Sequence, residues 1–310
     1  MPDIGASGVL GVALETVSGT YVAPTKFIPF ESESLNYQQD TVWRRPIRNT
    51  PGLVGAVPGN AHTEGDINME ALPDCVPYFM HASRCTVVKT GASPPYIYTY
   101  TPAPIAVPAK TMSITIRRGT EVFGYTGCIV SGLTFAVGDD GQLKFNVKIV
   151  GNDEASAAAL GAITWPTTGP FGAGMYSLQI PTATQVFDSD SFEFSSDDNA
   201  TPQYRLKSAG RGAQFVNFGE SAATMKIMRD FSTRAEYDAF KALTSQTITL
   251  LATKGADVIS INMPAAIKDA YEIAIGGQGD LTRASITYQG VIDGTGKHYL
   301  ITVTCSENIV

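Results

Sequence analysis

Residues Cys128–Asp153 read CIVSGLTFAVGDDGQLKFNVKIVGND, and residues Ala265–Asp293 read AAIKDAYEIAIGGQGDLTRASITYQGVID. Each is an alternating run, a turn of Gly and Asp, and a second alternating run. Apolar residues at every second position bury one face of a strand, and Gly138–Gly141 and Gly276–Asp280 have turn chemistry. Both stretches therefore predict antiparallel hairpins. Two such hairpins at matched places in a 310-residue chain point to a mainly β protein built from a repeat.

The match extends upstream. Ser34–Cys75 is SLNYQQDTVWRRPIRNTPGLVGAVPGNAHTEGDINMEALPDC, and Ser191–Phe231 is SFEFSSDDNATPQYRLKSAGRGAQFVNFGESAATMKIMRDF. Each opens with a short alternating strand and enters a turn-rich loop with basic residues, Arg44, Arg45 and Arg48 in one, Arg205, Lys207 and Arg211 in the other. Each leaves through a glycine into another strand, Ile67–Met69 or Met225–Met228. A short helix follows: Asp74–Ala82, with Val76, Phe79 and Met80 on one face, and Arg234–Leu243, with Tyr237 and Phe240 on one face. Thr233 and Glu236 have capping-box spacing. Strands Ser113–Ile116 and Thr247–Leu251 come next.

Few identities survive, so the repeat is one of pattern. The first half carries an extra segment, Thr86–Lys110, with Pro94, Pro95, Pro102, Pro104 and Pro108. Proline fixes φ and has no N–H for a ladder, so an extended loop is expected there. The expected organisation is an N-terminal arm (1–26), a first unit (27–155), a linker rich in Ala, Gly and Pro (156–182) and a second unit (183–310). Several strands and one short flanking helix in each unit make an antiparallel β-sandwich or small α+β domain.

Charged residues make up only 16% of the chain, against about 25% in an average protein, and the net charge is −7. A protein that grips phosphates with Lys and Arg is disfavoured by that balance. Met1–Leu10 lacks a basic region followed by an apolar core, and no apolar run is long enough for a membrane span. Cys75, Cys85, Cys128 and Cys305 have no metal-ligand spacing and are expected as free thiols in an intracellular product.

Catalytic signals are weak. His62, His81 and His298 are scattered, and there is no nucleophile elbow. Gly277–Gly279 follows a strand but leads into another alternating run, not the helix that a dinucleotide loop needs. Gly294–Lys297 lacks the upstream Gly of a phosphate loop and is followed by His298. Asp139/Asp140 and Asp197/Asp198 read as solvated turns, without the oxygen-ligand spacing of a calcium loop. No enzyme activity, cofactor or metal is expected. Arg44, Arg45 and Arg48, in a loop with Pro46, Pro51 and Pro58, suit a protein contact, a solvated loop or a nucleic-acid patch.

Near its start the chain reads ALETVSGTYVAPTKFIP (Ala13–Pro29), followed by Glu33-Ser34; near its end, ITYQGVID (Ile286–Asp293) precedes YLITVT (Tyr299–Thr304). These stretches resemble the opening and the last strands of the tail tube proteins of long-tailed, siphovirus-type phages. The resemblance implies two tandem tube domains, each an antiparallel sandwich with a flanking helix. Such subunits join edge to edge into stacked rings around a lumen, and three two-domain copies would fill a pseudo-hexameric ring. It implies contact loops at Val42–Glu64 and Ala200–Gly219, with Trp43, Arg44, Arg45, Arg48, Pro51, Pro58, Arg205, Lys207, Arg211 and Phe215 as contact residues. Expected partners are further copies of the chain, a tape-measure protein in the lumen, and tail-terminator and tail-tip or baseplate proteins. Genomic duplex DNA would pass without sequence-specific binding through a net negative lumen. The expected location is the virion tail, after assembly in the host cytoplasm. Other readings are a tail-completion ring protein, a contractile secretion-tube subunit, a glycan-acting β-sandwich hydrolase and an adhesion module.

Overall fold

The computed structural model describes residues 5–48, 51–104, 110–138, 140–155, 158–181, 184–205, 210–231, 233–278 and 280–309. The first half holds β1 (Val9–Leu14), β2 (Lys26–Ile28), β3 (Ser32–Glu33), β4 (Asn36–Arg44), β5 (Gly55–Glu70), α1 (Val76–His81), β6 (Cys85–Thr90), β7 (Tyr96–Pro102), β8 (Met112–Arg118), β9 (Glu121–Val137), β10 (Leu143–Gly151) and β11 (Asp153–Ala155). The second holds β12 (Tyr176–Gln179), β13 (Gln185–Val186), β14 (Ser189–Asp197), β15 (Thr201–Gln203), β16 (Phe215–Asn217), β17 (Ala222–Asp230), α2 (Arg234–Lys241), β18 (Gln246–Lys254), β19 (Asp257–Ala274), β20 (Arg283–Gly290) and β21 (Leu300–Cys305). The fold is mainly β with antiparallel sheets, as expected from the alternation.

The pairings β4–β5–β10–β9–β14–β17–β20–β19 make one continuous antiparallel sheet. It consists of two runs with the same order of pairing, and they meet where β9 and β14 lie side by side, with Phe135 opposite Phe194. One face of this sheet is apolar. Two further sheets cover it: β2–β1–β8–β9–β11 in the first half and β13–β12–β18–β19–β21 in the second. Leu10, Ile114, Ile67, Val147, Phe194, Ile227, Ile261 and Ile286 all belong to the core cluster between these layers. Each fully buried side chain of this size contributes about 1.5–3 kcal/mol of hydrophobic stabilisation.

β9 and β19 each serve two sheets, so each must bend. In β9 the bend falls at Gly127, whose φ is +63° and whose N–H donates to Glu15 Oε1 at 2.9 Å. A Cβ there would stand 2.3 Å from the Asn152 side chain, so the bend needs glycine twice over. In β19 the register shifts between Gln246 and Ile248 of its partner β18, opposite the stretch that holds Pro264. Proline cannot donate to the ladder and suits such a break.

Several expectations are corrected. The segment Thr86–Lys110 is not an extended loop over its described part: β6 and β7 form a hairpin that adds to β21 through Tyr100 opposite Ile301. Tyr98 and Tyr100 are buried and carry the alternation, while Pro94 and Pro95 fall in the turn. β1 lies within the residues expected as an arm, and β12 within those expected as a linker; both are sheet strands, β1 almost wholly buried. The capping box at α2 does not form. Thr233 makes no side-chain cap, and Glu236 instead accepts from Arg229 Nη1 at 2.6 Å. The two helices also differ in cover. α1 is buried, with His81 against Tyr98 and Tyr100 of the added hairpin, whereas α2 has no fully buried residue. No helix among the described residues is long and apolar enough to cross a membrane.

Candidate functional site

The expected loop Val42–Glu64 is largely strand. β10 pairs with β5 only from Thr63 to Glu70, so β4 and the first part of β5 run on as a two-stranded arm. Val42, Trp43, Ile47, Leu53 and Val57 are exposed on this arm, among the exposed Arg44, Arg45 and Arg48. A hairpin alone is marginal in water, and this one leaves its apolar side chains exposed instead of packed on the sheet. Pro58 sits in β5 opposite Thr41, next to a register shift at Gln39/Thr41. The bulge accommodates the donor that proline lacks.

The second expected loop folds as a small ribbon, β15 with β16. Its sides clasp the root of the arm. Arg211 Nη1 donates to Gln39 Oε1 at 2.9 Å, Ala61 N–H donates to Arg211 O at 3.0 Å, and Tyr204 Oη lies 2.9 Å from His62 Nδ1. Burial, with Asp40 nearby, raises the Tyr204 pKa and keeps the phenol protonated. The Arg205 guanidinium stacks over Phe215 at 5.5 Å. The structure thus gathers Arg205, Arg211 and Phe215 near the root and leaves Trp43, Arg44, Arg45, Arg48 and Pro51 toward the tip. Lys207 lies outside the described residues.

The other face of the long sheet is polar and follows strict rows. One row runs Glu70, Lys144, Ala136, Glu193, Lys226, Thr287. The next runs Asn68, Asn146, Thr134, Ser195, Thr224, Gln289. Within that neutral row, Asn146 Nδ2 donates to Asn68 Oδ1, and Ser195 and Thr224 hydroxyls meet at 2.7 Å. A third row holds Asp66, Lys148, Gly132 and Asp197. Charge is therefore interleaved, with an acidic excess.

A family model described as phage tail tube protein matches residues 5–290. The chain belongs to that family. It is a structural protein of the virion tail, and a search of curated proteins finds no match.

Other clusters in this tail tube protein carry less chemistry. Ser221 Oγ lies 3.1 Å from His298 Nε2, and Asp198 and Arg84 line the same cavity of about 750 Å³. Asp198 hydrogen-bonds Ser221 rather than the imidazole, so the order is not that of a hydrolytic triad. Burial, then the nearby Arg84, lowers the His298 pKa. Burial pushes the Cys75 and Cys305 thiols up to about 12 and Cys85 to about 11, which makes them poor nucleophiles. No group of three metal-ligating side chains occurs among the described residues.

Of the exposed apolar residues of the arm, Trp43 was expected from the sequence, whereas Val42, Ile47, Leu53 and Val57, like the polar rows of the tail tube sheet, were not. Those four lay in a stretch without period-two alternation, and the rows needed strand register.

Proposed function

We propose that this tail tube protein is the repeating subunit of a siphovirus-type tail, with two tandem tube units and three copies per ring. The units run from β1 to β11 and from β12 to β21, somewhat wider than the stretches read from sequence. The observation that carries this reading is the β9–β14 joint, where two like runs of four strands meet edge to edge within one chain. Such a joint leaves β3 and β4 as one outer edge and the end of β19 as the other. An unpaired ladder is a template for pairing, and head-to-tail contacts close into a ring when the rotation closes. Three chains then give six units and a closed inner barrel.

The polar rows line the lumen in this arrangement, and the arm with the ribbon at its root reaches the next ring. Interleaved charge with an acidic excess lets duplex DNA pass without sequence-specific binding. Tape-measure, terminator and tail-tip or baseplate proteins complete the partners, with assembly in the host cytoplasm. Electron microscopy of the purified chain, alone and with tail-tip proteins, tests this. Hollow tubes with threefold rings of six similar lobes are expected. Six chains per ring, or a chain that stays monomeric under all these conditions, would sink it.

A further inference from the structure

The internal joint also specifies how two chains meet. β9 and β19 each carry a one-residue bulge against the next strand of their hairpin, at Ser131 and at Asp269. Superposing the bulges makes Phe135 equivalent to Ile273, Ala136 to Ala274 and Thr134 to Glu272. Phe135 is fully buried beneath the joint, whereas Ile273 is 42% exposed, at an edge with no neighbour on it among the described residues. On the opposite edge the same superposition matches Ile67 with Ile227, through partners Val147 and Ile286. Leu35, which faces Gly65, then takes the place of Phe194, which faces Met225.

We infer that Glu33–Gln38 of one chain pairs antiparallel with Ala270–Ile275 of a second copy, Leu35 opposite Ile273 and Ser34 opposite Ala274, in the register of the β9–β14 joint. The inference rests on the tube reading and adds the residues in contact. It accounts for the one-sided exposure of Ile273 and sets two small side chains, Ser34 and Ala274, against each other. It also makes a demand. Ser34 N–H bonds Asp66 O toward the sheet interior, so the N–H and C=O of Leu35 point to the open edge. Both are capped by side chains: Glu33 Oε2 accepts from Leu35 N–H at 3.0 Å, and Arg118 and Tyr125 donate to Leu35 O. The incoming strand must displace those caps.

Because the Ser34 N–H and hydroxyl both bond Asp66 on the inner side, Ser34 and Ala274 would form a non-hydrogen-bonded pair, with Cα atoms about 4.5 Å apart, inside disulfide range. The test is the double variant Ser34→Cys/Ala274→Cys, oxidised mildly after assembly and run on non-reducing gels. Covalent trimers are expected. Asn36→Cys/Ala274→Cys, which is out of register by two residues, should give none, and Asn36→Cys/Glu272→Cys should restore them. Wild-type tubes add a variant-free readout, slowed amide exchange at Leu35 and Ile273 on assembly. Tubes that cross-link only in the shifted pair, or leave both amides unprotected, overturn the register while the tube reading stands. A wild-type chain that never forms rings overturns both.

Discussion

Arg118 donates two hydrogen bonds to Glu33, Nε to Oε1 at 2.8 Å and Nη2 to Oε2 at 2.7 Å, and the same guanidinium reaches the carbonyl of Leu35. Glu33 in turn holds the Leu35 N–H. The hydrogen bonds to Glu33 outweigh burial and raise the Arg118 pKa, so the guanidinium stays charged. An edge strand is thereby blunted by side chains of its own chain, which is how sheet proteins suppress untimely pairing. Arg118→Met should therefore shorten the lag before tube growth, followed by light scattering. It should also lower unfolding stability by about 1 kcal/mol, because the pair is partly exposed and screened. Unchanged or slower growth by a folded variant would show that the cap does not hold assembly back.

Gly127 permits a second quantitative check, on the fold itself. Gly127→Ala combines a left-handed backbone, costing about 1–2 kcal/mol, with a Cβ 2.3 Å from Asn152. Gly255 has a similar φ of +61° in the β18–β19 turn but nothing within 4 Å. Gly255→Ala should lose about 1 kcal/mol in urea denaturation, and Gly127→Ala clearly more. Equal losses would remove steric crowding from the account of the bend in β9.

How much of this was legible follows from where each signal lies. The hairpins around Gly138–Gly141 and Gly276–Asp280 announced themselves because one face of each strand is buried, which imposes alternation. The β6–β7 hairpin did not, because its prolines masked the alternation of Tyr96, Tyr98 and Tyr100. Arg44, Arg45 and Arg48 flagged the arm, but the far part of β4 is open on both faces and gives no period-two apolar signal, so the chain read as loop from Val42 on. The pairing of Arg118 with Glu33 joins residues far apart in sequence, and only the packing of β8 in the covering sheet over the edge strand β3 brings them together. At α2 the local rule failed because Arg229 competes for Glu236, a tertiary contact that spacing does not reveal.

His81 supplies a pH dependence. Burial lowers its pKa below the ordinary imidazole value, against the raising effect of its bond to Pro77 O at 2.7 Å. The folded state therefore binds fewer protons than the unfolded one below about pH 6.5. Stability is fully present above that value and falls as the pH drops from it toward the lowered folded pKa. His81→Asn keeps a donor for Pro77 O and removes the titration. Its unfolding stability should decline less than wild type between pH 7.5 and pH 5, measured by urea denaturation at each pH. Parallel declines would place the acid sensitivity elsewhere.

Arm substitutions should separate assembly from folding. Trp43 and Ile47 are exposed, so Trp43→Ala and Ile47→Asp should shift unfolding stability by no more than about 0.5 kcal/mol. If the arm joins successive rings, both variants should stop tube elongation, with single rings visible by electron microscopy. Long tubes of normal rise from the double variant would relegate the arm to a solvated hairpin.

The polar rows give the most direct test of the conduit. Glu193 lies between Ala136 and Lys226 in its row, and Asp197 next to Gly132 in another, both near the centre of the long sheet. Changing both to Lys shifts each chain by four charges toward positive and each ring of three proposed copies by twelve. Duplex DNA carries about one charge per 1.7 Å, and Lys side chains that neutralise phosphates release counterions. Phage carrying Glu193→Lys/Asp197→Lys in their tail tubes should therefore eject DNA more slowly than wild type, with the defect relieved by added salt. Ejection at the wild-type rate from virions of normal tail length would show that these rows do not face the DNA.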